Sequence, residues 1–180
     1  VKVAVSSEEP VERSFGIEIL DHKSSSIDLS FLNSGRAPLL LDHDPTQQIG
    51  VVESVTLDDS ARRLRATVRF GKNGLAKEVF DDVEDGIRGN ISVGYRIDKL
   101  EKEGKDTFRA VSWMPMEVSI VSIPADRTVG VGRSAADDLT TTVNATPIKE
   151  ATMAEFDMDA VKAEAARTAS KETAEMFRLA

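Results

Sequence analysis

Cysteine is absent from these 180 residues. That absence removes disulfides, thiolate metal sites and a cysteine nucleophile together, and it fits a reducing compartment. Aromatic residues are scarce at 5%. The core must therefore rest on Val, Ile and Leu, and an aromatic-lined small-molecule pocket is a poor fit. No apolar run approaches the roughly 20 residues needed to span a bilayer. The first residues also lack the basic, apolar and small-residue order of a signal peptide. Positive charge is in deficit: the formal net charge is -8, which argues against nucleic acid as a partner, since Lys and Arg neutralising phosphate carry most of that affinity. There is no glycine-rich phosphate loop. Asp42, His43 and Asp44 are adjacent, and adjacent ligands converge poorly on a metal, so they are a weak metal site.

What is present is the balance of a soluble globular protein, 41% hydrophobic and 30% charged, with length for one ordinary domain and an appendage. Residues 15–20, 37–41, 49–57 and 62–70 read as strands. The last two are joined by Asp58-Asp59-Ser60 as a hairpin. Leu75, Val79, Phe80 and Val83 fall at helical spacing, and Gly86 and Gly89 terminate that helix. Strand character returns at 90–97, 107–113 and 116–123. The expected fold is α+β: a β-rich, barrel-like domain of short, mostly antiparallel strands with flanking helices. The expected organisation is an N-terminal extension over 1–14, the domain over 15–133, an Ala/Thr/Asp-rich linker over 134–152 and a helical tail over 153–180.

Three residues stand out chemically. His43 and His22 are the two histidines of the chain. His43 is delivered by the apolar Leu39-Leu40-Leu41 run to a turn at the edge of the core, a place where a base can be held firmly and still meet solvent; by position alone it also reads as an ordinary turn histidine. Ser92 lies between Gly89 and Gly94, small neighbours that let a substrate backbone approach. Asn90 breaks the Gly-x-Ser-x-Gly elbow pattern, and a plain strand serine is the alternative. Glu117 is a carboxylate in an otherwise apolar strand. It either pairs with something or lies on a solvent face.

Taken together, Leu40-Leu41-Asp42-His43-Asp44-Pro45 followed by Ile49-Gly50-Val51, the Ile91-Ser92-Val93-Gly94-Tyr95 strand, and the stretch from Glu117 to Asp126 resemble the prohead (capsid maturation) serine proteases of tailed phages. That family is distantly related to the herpesvirus assemblins. The resemblance runs from about Phe15 to about Arg133. It implies a herpesvirus-protease-like domain and a serine endopeptidase with Ser92 as nucleophile, His43 as base and Glu117 as third member. The assemblins use a second histidine after the serine; here both histidines precede Ser92, which leaves the acidic variant. Asp126 is the fallback third member, and Arg127 a weak candidate for the oxyanion. The resemblance further implies cleavage of a capsid protein's scaffold segment, and of the chain itself, inside the assembling prohead in the host bacterial cytoplasm, with the helical tail as pro-segment or scaffold. It also suggests a homodimer and requires no cofactor. The rival reading is a capsid-assembly module without catalysis.

Overall fold

A computed structural model describes residues 1–72 and 74–133. Its elements are β1 (Lys2–Ser7), β2 (Val11–Arg13), β3 (Gly16–Leu20), β4 (Pro38–Leu41), β5 (Asp44–Asp58), β6 (Arg63–Phe70), α1 (Leu75–Glu84), β7 (Ile91–Lys102), β8 (Thr107–Ile120) and β9 (Gly130–Val131). The strands form one sheet in the order β2-β3-β8-β4-β5-β6-β1-β9, with β7 paired to the other edge of β8. The protein is thus a β-rich α+β domain. The expected flanking helices reduce, among the described residues, to α1 and a short 3-10 turn at Leu32–Ser34. The linker and tail expected over 134–180 lie outside the described residues.

Local chemistry explains most of these elements. β5 and β6 pair antiparallel from Gly50↔Phe70 to Asp58↔Arg63, as their alternation predicts. On β6, Leu64, Ala66, Val68 and Phe70 point inward and the residues between them outward. Helix α1 buries Val79 and Val83, one turn apart, and Gly86 beyond its end takes a φ of 74°, the left-handed geometry that stops a helix.

Two regions depart from the sequence expectation. Residues 1–14 are not an appendage to the sheet: β1 sits between β6 and β9, and Val3, Ala4 and Val5 are fully buried in the core. The second departure is β8, a single strand of 14 residues where Pro115 predicts a break. Proline lacks the N–H of a ladder bond and is tolerated inside a sheet at bulges. Gly94 opposes Glu117 while the next residue, Tyr95, opposes Pro115, so Met116 is the unpaired residue of such a bulge. One extra residue reverses which positions face the core. Trp113 and Pro115 point inward before the bulge, Val118 and Ile120 after it. The bulge is therefore what turns Glu117 away from the core.

β8 is the strand on which its neighbours converge. Its second half is flanked by β7, with Ser92↔Ser119 in register, and by β4, with Leu40↔Ser119 in register. Ser92, Ser119 and the end of β4 form one row across three strands.

Candidate active site

The turn after β4 is made by two residues, Asp42 and His43, between the paired Leu41 and Asp44. Both have positive φ, 48° and 61°. That is the requirement of the tight hairpin turn usually built from Asn-Gly or Asp-Gly. A histidine there carries a left-handed backbone that disfavours a Cβ by about 1–2 kcal/mol. The surroundings hold it in place: Asp42 N–H donates to Ile120 O at 2.9 Å, Ser122 N–H donates to Asp42 Oδ1 at 3.0 Å, and His43 N–H donates to Ser119 Oγ at 3.2 Å. Strain that its neighbours over-determine is characteristic of functional positions.

From this turn the His43 ring reaches back over β8. Its Nδ1 lies 2.6 Å from Glu117 Oε1. A carboxylate offers only acceptors, so Nδ1 carries a proton, and in the neutral imidazole the lone pair is on Nε2. The His43 side chain is 43% exposed and that of Glu117 14%, which leaves the imidazole open to solvent while its partner is sheltered. The second carboxylate oxygen, Oε2, accepts from Ser119 Oγ at 2.7 Å. The carboxylate also lies across Gly94: a Cβ on that glycine would stand 2.2 Å from Glu117 Oε1.

Ser92 occupies the neighbouring strand, directly opposite Ser119. Facing residues on an antiparallel pair share a side of the sheet with Cβ atoms about 4.5–5.5 Å apart. Ser92 therefore shares the face that carries Glu117 and Ser119, and it is partly exposed, whereas Ser119 is fully buried. A narrow cleft runs past Ile91, Ser92 and Val93. Val5, Val11 and Ala125 line it together with Ser7 and Asp126, and so does the Arg13, Glu18 and Tyr95 cluster. In that cluster the Tyr95 hydroxyl donates to the buried Glu18 carboxylate and accepts from Arg13 Nη2 at 2.8 Å. Burial and the Glu18 charge push the phenol up to about 12.

Of the remaining expected residues, Asp126 lines the same cleft as Ser92, but its bonds go elsewhere. Asp126 accepts from Ser7 Oγ at 2.6 Å and from the Thr128 backbone N–H at 2.8 Å. It ties the loop after β8 to β1. Arg127 is exposed on that loop. Asp42, His43 and Asp44 turn to different partners: Asp42 to Ser122, His43 to Glu117 and Asp44 to Thr46 and Gln47. His22 is buried in the core, 5.4 Å from the Trp113 ring. Sequence reading missed Ser119 and the contact made by Gly94. The spacing of Glu117 and Ser119, two apart on a strand, was a usable signal for the first, because it puts both on one face.

A solvent-facing histidine anchored by a sheltered carboxylate, on a sheet face that a partly exposed serine shares by register, has the composition of a serine-peptidase-type site, although among the described residues no hydrogen bond joins Ser92 to His43. Comparison of the sequence with known proteins points the same way. The sequence model of the caudovirus prohead serine protease family matches residues 22–142, and the chain belongs to that family. A relative, the major capsid protein of Halomonas phage phiHAP-1, is 50% identical over 148 residues, covering 78% of this chain and 24% of that protein. The chain thus spans about a quarter of the length of that relative. No solved structure matches it significantly.

Proposed function

We propose that this chain is the serine endopeptidase of phage prohead maturation, acting through Ser92, His43 and Glu117. The observation that carries the reading is the 2.6 Å contact between His43 Nδ1 and Glu117 Oε1, which leaves Nε2 as a base on the face that Ser92 shares. A serine hydroxyl is a weak nucleophile at neutral pH. As its oxygen attacks the scissile carbonyl, His43 Nε2 takes the hydroxyl proton. The same proton passes to the leaving amine as the C–N bond breaks, and an acyl-serine remains. Water then attacks that ester, His43 taking and returning a proton again. Glu117 accepts from Nδ1–H throughout and stabilises the imidazolium. Backbone amides and the Arg127 guanidinium are the candidate donors to the oxyanion.

The substrate in this reading is a capsid polypeptide or its scaffold segment, and the chain itself in autocleavage, inside the assembling prohead in the host cytoplasm. A major capsid protein as relative supports a capsid polypeptide as the context, and the narrow cleft beside Ser92 suits small apolar side chains. The nine-stranded sheet is read as a herpesvirus-protease-like barrel, and the assemblin likeness extends to a homodimer.

The relative's name also favours a second reading, a capsid-assembly module without peptidase activity. A fluorophosphonate probe separates the two. The protease reading expects a single adduct on Ser92 that is lost in His43→Ala and in Ser92→Ala. A folded chain that takes no adduct, and whose intact mass stays unchanged over long incubation at high concentration, supports the assembly module.

A further inference from the structure

Ser119 stands at the centre of the site without being one of its expected members. Its hydroxyl is fully buried and makes two bonds: it donates to Glu117 Oε2 at 2.7 Å and accepts from His43 N–H at 3.2 Å. A buried hydroxyl needs some partner. Both of its bonds go to the two residues of the histidine–carboxylate pair.

The directions of these bonds are set by chemistry. The His43 backbone N–H can only donate, so it occupies an acceptor position of Ser119 Oγ. The Ser119 proton is thereby aimed at the carboxylate, which can only accept. Oε2 is then engaged, and Oε1 is left for the imidazole Nδ1–H at 2.6 Å. The result is a closed ring of three hydrogen bonds through two residues of β8 and one residue of the strained turn. It holds the turn backbone, the carboxylate orientation and the imidazole tautomer at once. Gly94 lacks the Cβ that would stand 2.2 Å from Glu117 Oε1, so β7 leaves room for the carboxylate where these bonds hold it.

We infer that Ser119 is a positioning residue, whose buried hydroxyl locks Glu117 and the His43 backbone together so that His43 presents a lone pair at Nε2. Ser119 is not a second nucleophile: its proton and an acceptor position are both committed, and it is sealed from solvent. The inference rests on the reading of His43 as base, and it extends that reading to a residue that touches neither substrate nor reacting atoms.

The test uses the full chain and three variants, Ser119→Ala, Ser119→Cys and Ser119→Thr. The first readout is the rate of Ser92 phosphonylation against fluorophosphonate concentration, which separates the maximal rate from probe affinity. The second is the downfield proton resonance of His43 Nδ1–H. His22 Nδ1, bonded to Leu20 O at 2.8 Å, serves as an internal control. Ser119→Ala is expected to lower the maximal rate about 10- to 100-fold, the range found when an orienting partner of a functional histidine is removed, at unchanged probe affinity. The His43 proton is lost from the spectrum while the His22 proton stays. Ser119→Cys preserves the shape of the site with a weak donor; it is expected to fold where alanine does not and still to lose rate. Ser119→Thr keeps the hydroxyl and is expected to recover most of it. A wild-type maximal rate and an intact His43 proton in folded Ser119→Ala or Ser119→Cys overturn the inference. A wild-type chain that never labels at Ser92 overturns the protease reading instead, and the proton resonance still decides whether Ser119 holds the pair.

Discussion

The two histidines of this chain make an instructive pair. By distance, His22 is the better Ser–His dyad: its Nε2 lies 2.8 Å from Ser6 Oγ. Its Nδ1 donates to Leu20 O, so the tautomer is also that of a catalytic base. Yet His22 and Ser6 are both buried, and burial pushes the imidazole down from its ordinary value. The group is a hub of the fold. The His22 backbone N–H donates to Glu8 Oε1 at 2.9 Å, Arg109 Nη1 donates to Glu8 Oε2 at 3.1 Å, and Trp113 Nε1 donates to Asp21 O at 2.9 Å. Among the described residues no hydroxyl bonds the His43 ring, but it has a carboxylate behind it and solvent in front. In the proposed reading, a dyad distance is thus a poor guide to chemistry. What separates the two sites is whether a carboxylate bonds the ring directly, as Glu117 does at His43, and whether a substrate can reach it.

The sharpest way to break the comparison is to remove each imidazole in turn. His43→Ala is expected to lower Ser92 phosphonylation by about 10³-fold or more and to leave the melting temperature nearly unchanged, since the side chain is 43% exposed. His22→Phe is expected to do the reverse. It leaves the Ser6 hydroxyl and the Leu20 carbonyl without their partner, at about 1–3 kcal/mol for each buried group, while the folded fraction still labels. Thermal melting and labelling on the same samples give both numbers. Large loss of labelling per folded molecule in His22→Phe would put the wrong histidine at the site.

The next effect belongs to Gly94. In Gly94→Ala the new Cβ meets the Glu117 carboxylate, the far end of a flexible side chain. The carboxylate is expected to swing aside at little expense to the fold. Misplacing an orienting group by an ångström or so costs about 10²-fold in rate. Gly50→Ala is the control: its Cβ would stand 2.2 Å from the Arg69 backbone oxygen, which cannot step aside. That variant should lose stability without a specific effect on labelling.

How much of this was legible in the sequence depends on how local each cause is. The β5–β6 hairpin and α1 follow from alternation and helical spacing within their own segments. β1 is apolar at Val3, Ala4 and Val5, but what makes it a core strand is its pairing with β6 and β9, which its own segment does not encode. The continuity of β8 through Pro115 was not legible. A proline argues against a central strand, and the bulge that accommodates it exists only in the register with β7. The candidate site divides in the same way. His43 and Glu117 stand out as residue types in their segments. Their meeting depends on the parallel pairing of β4 with β8, which spacing does not encode. Ser119 looks like an ordinary strand serine until β4 and β7 are laid on either side of it.

A smaller effect sharpens the contrast through pH. The unfolded chain's His22 takes up a proton below about pH 6.5. The native one is held down by burial, so it stays neutral further into acid. The unfolded state therefore binds more protons in that window, and stability must fall as pH drops below about 6.5, by at most about 1.4 kcal/mol per pH unit for one group. Above that value His22 contributes no slope. Urea unfolding of wild type and His22→Phe between pH 7.5 and 5 checks the sign: the wild-type midpoint should fall more steeply than that of the variant. Parallel lines would mean that His22 is not the group whose protonation opposes folding.

The smallest effect concerns Asp126, the alternative acid. Its Oδ2 accepts from Ser7 at 2.6 Å, and Oδ1 accepts from the Thr128 hydroxyl at 2.7 Å and from its backbone N–H at 2.8 Å. Both oxygens are thus engaged in joining the loop after β8 to β1. Asp126→Asn keeps the shape and one acceptor oxygen, and turns the other position into a donor facing a hydroxyl that can rotate to accept. The expected loss is about 1 kcal/mol of stability and less than a few-fold in labelling rate. Glu117→Gln, by contrast, presents either an amide oxygen or an N–H to an imidazole N–H that needs an anion. It should cost labelling heavily, on the order of 10²- to 10⁴-fold, at little change in melting temperature. If the two variants exchanged these outcomes, the carboxylate that serves His43 would be the one on the loop, and the 2.6 Å contact on β8 would be a resting arrangement that the reacting site abandons.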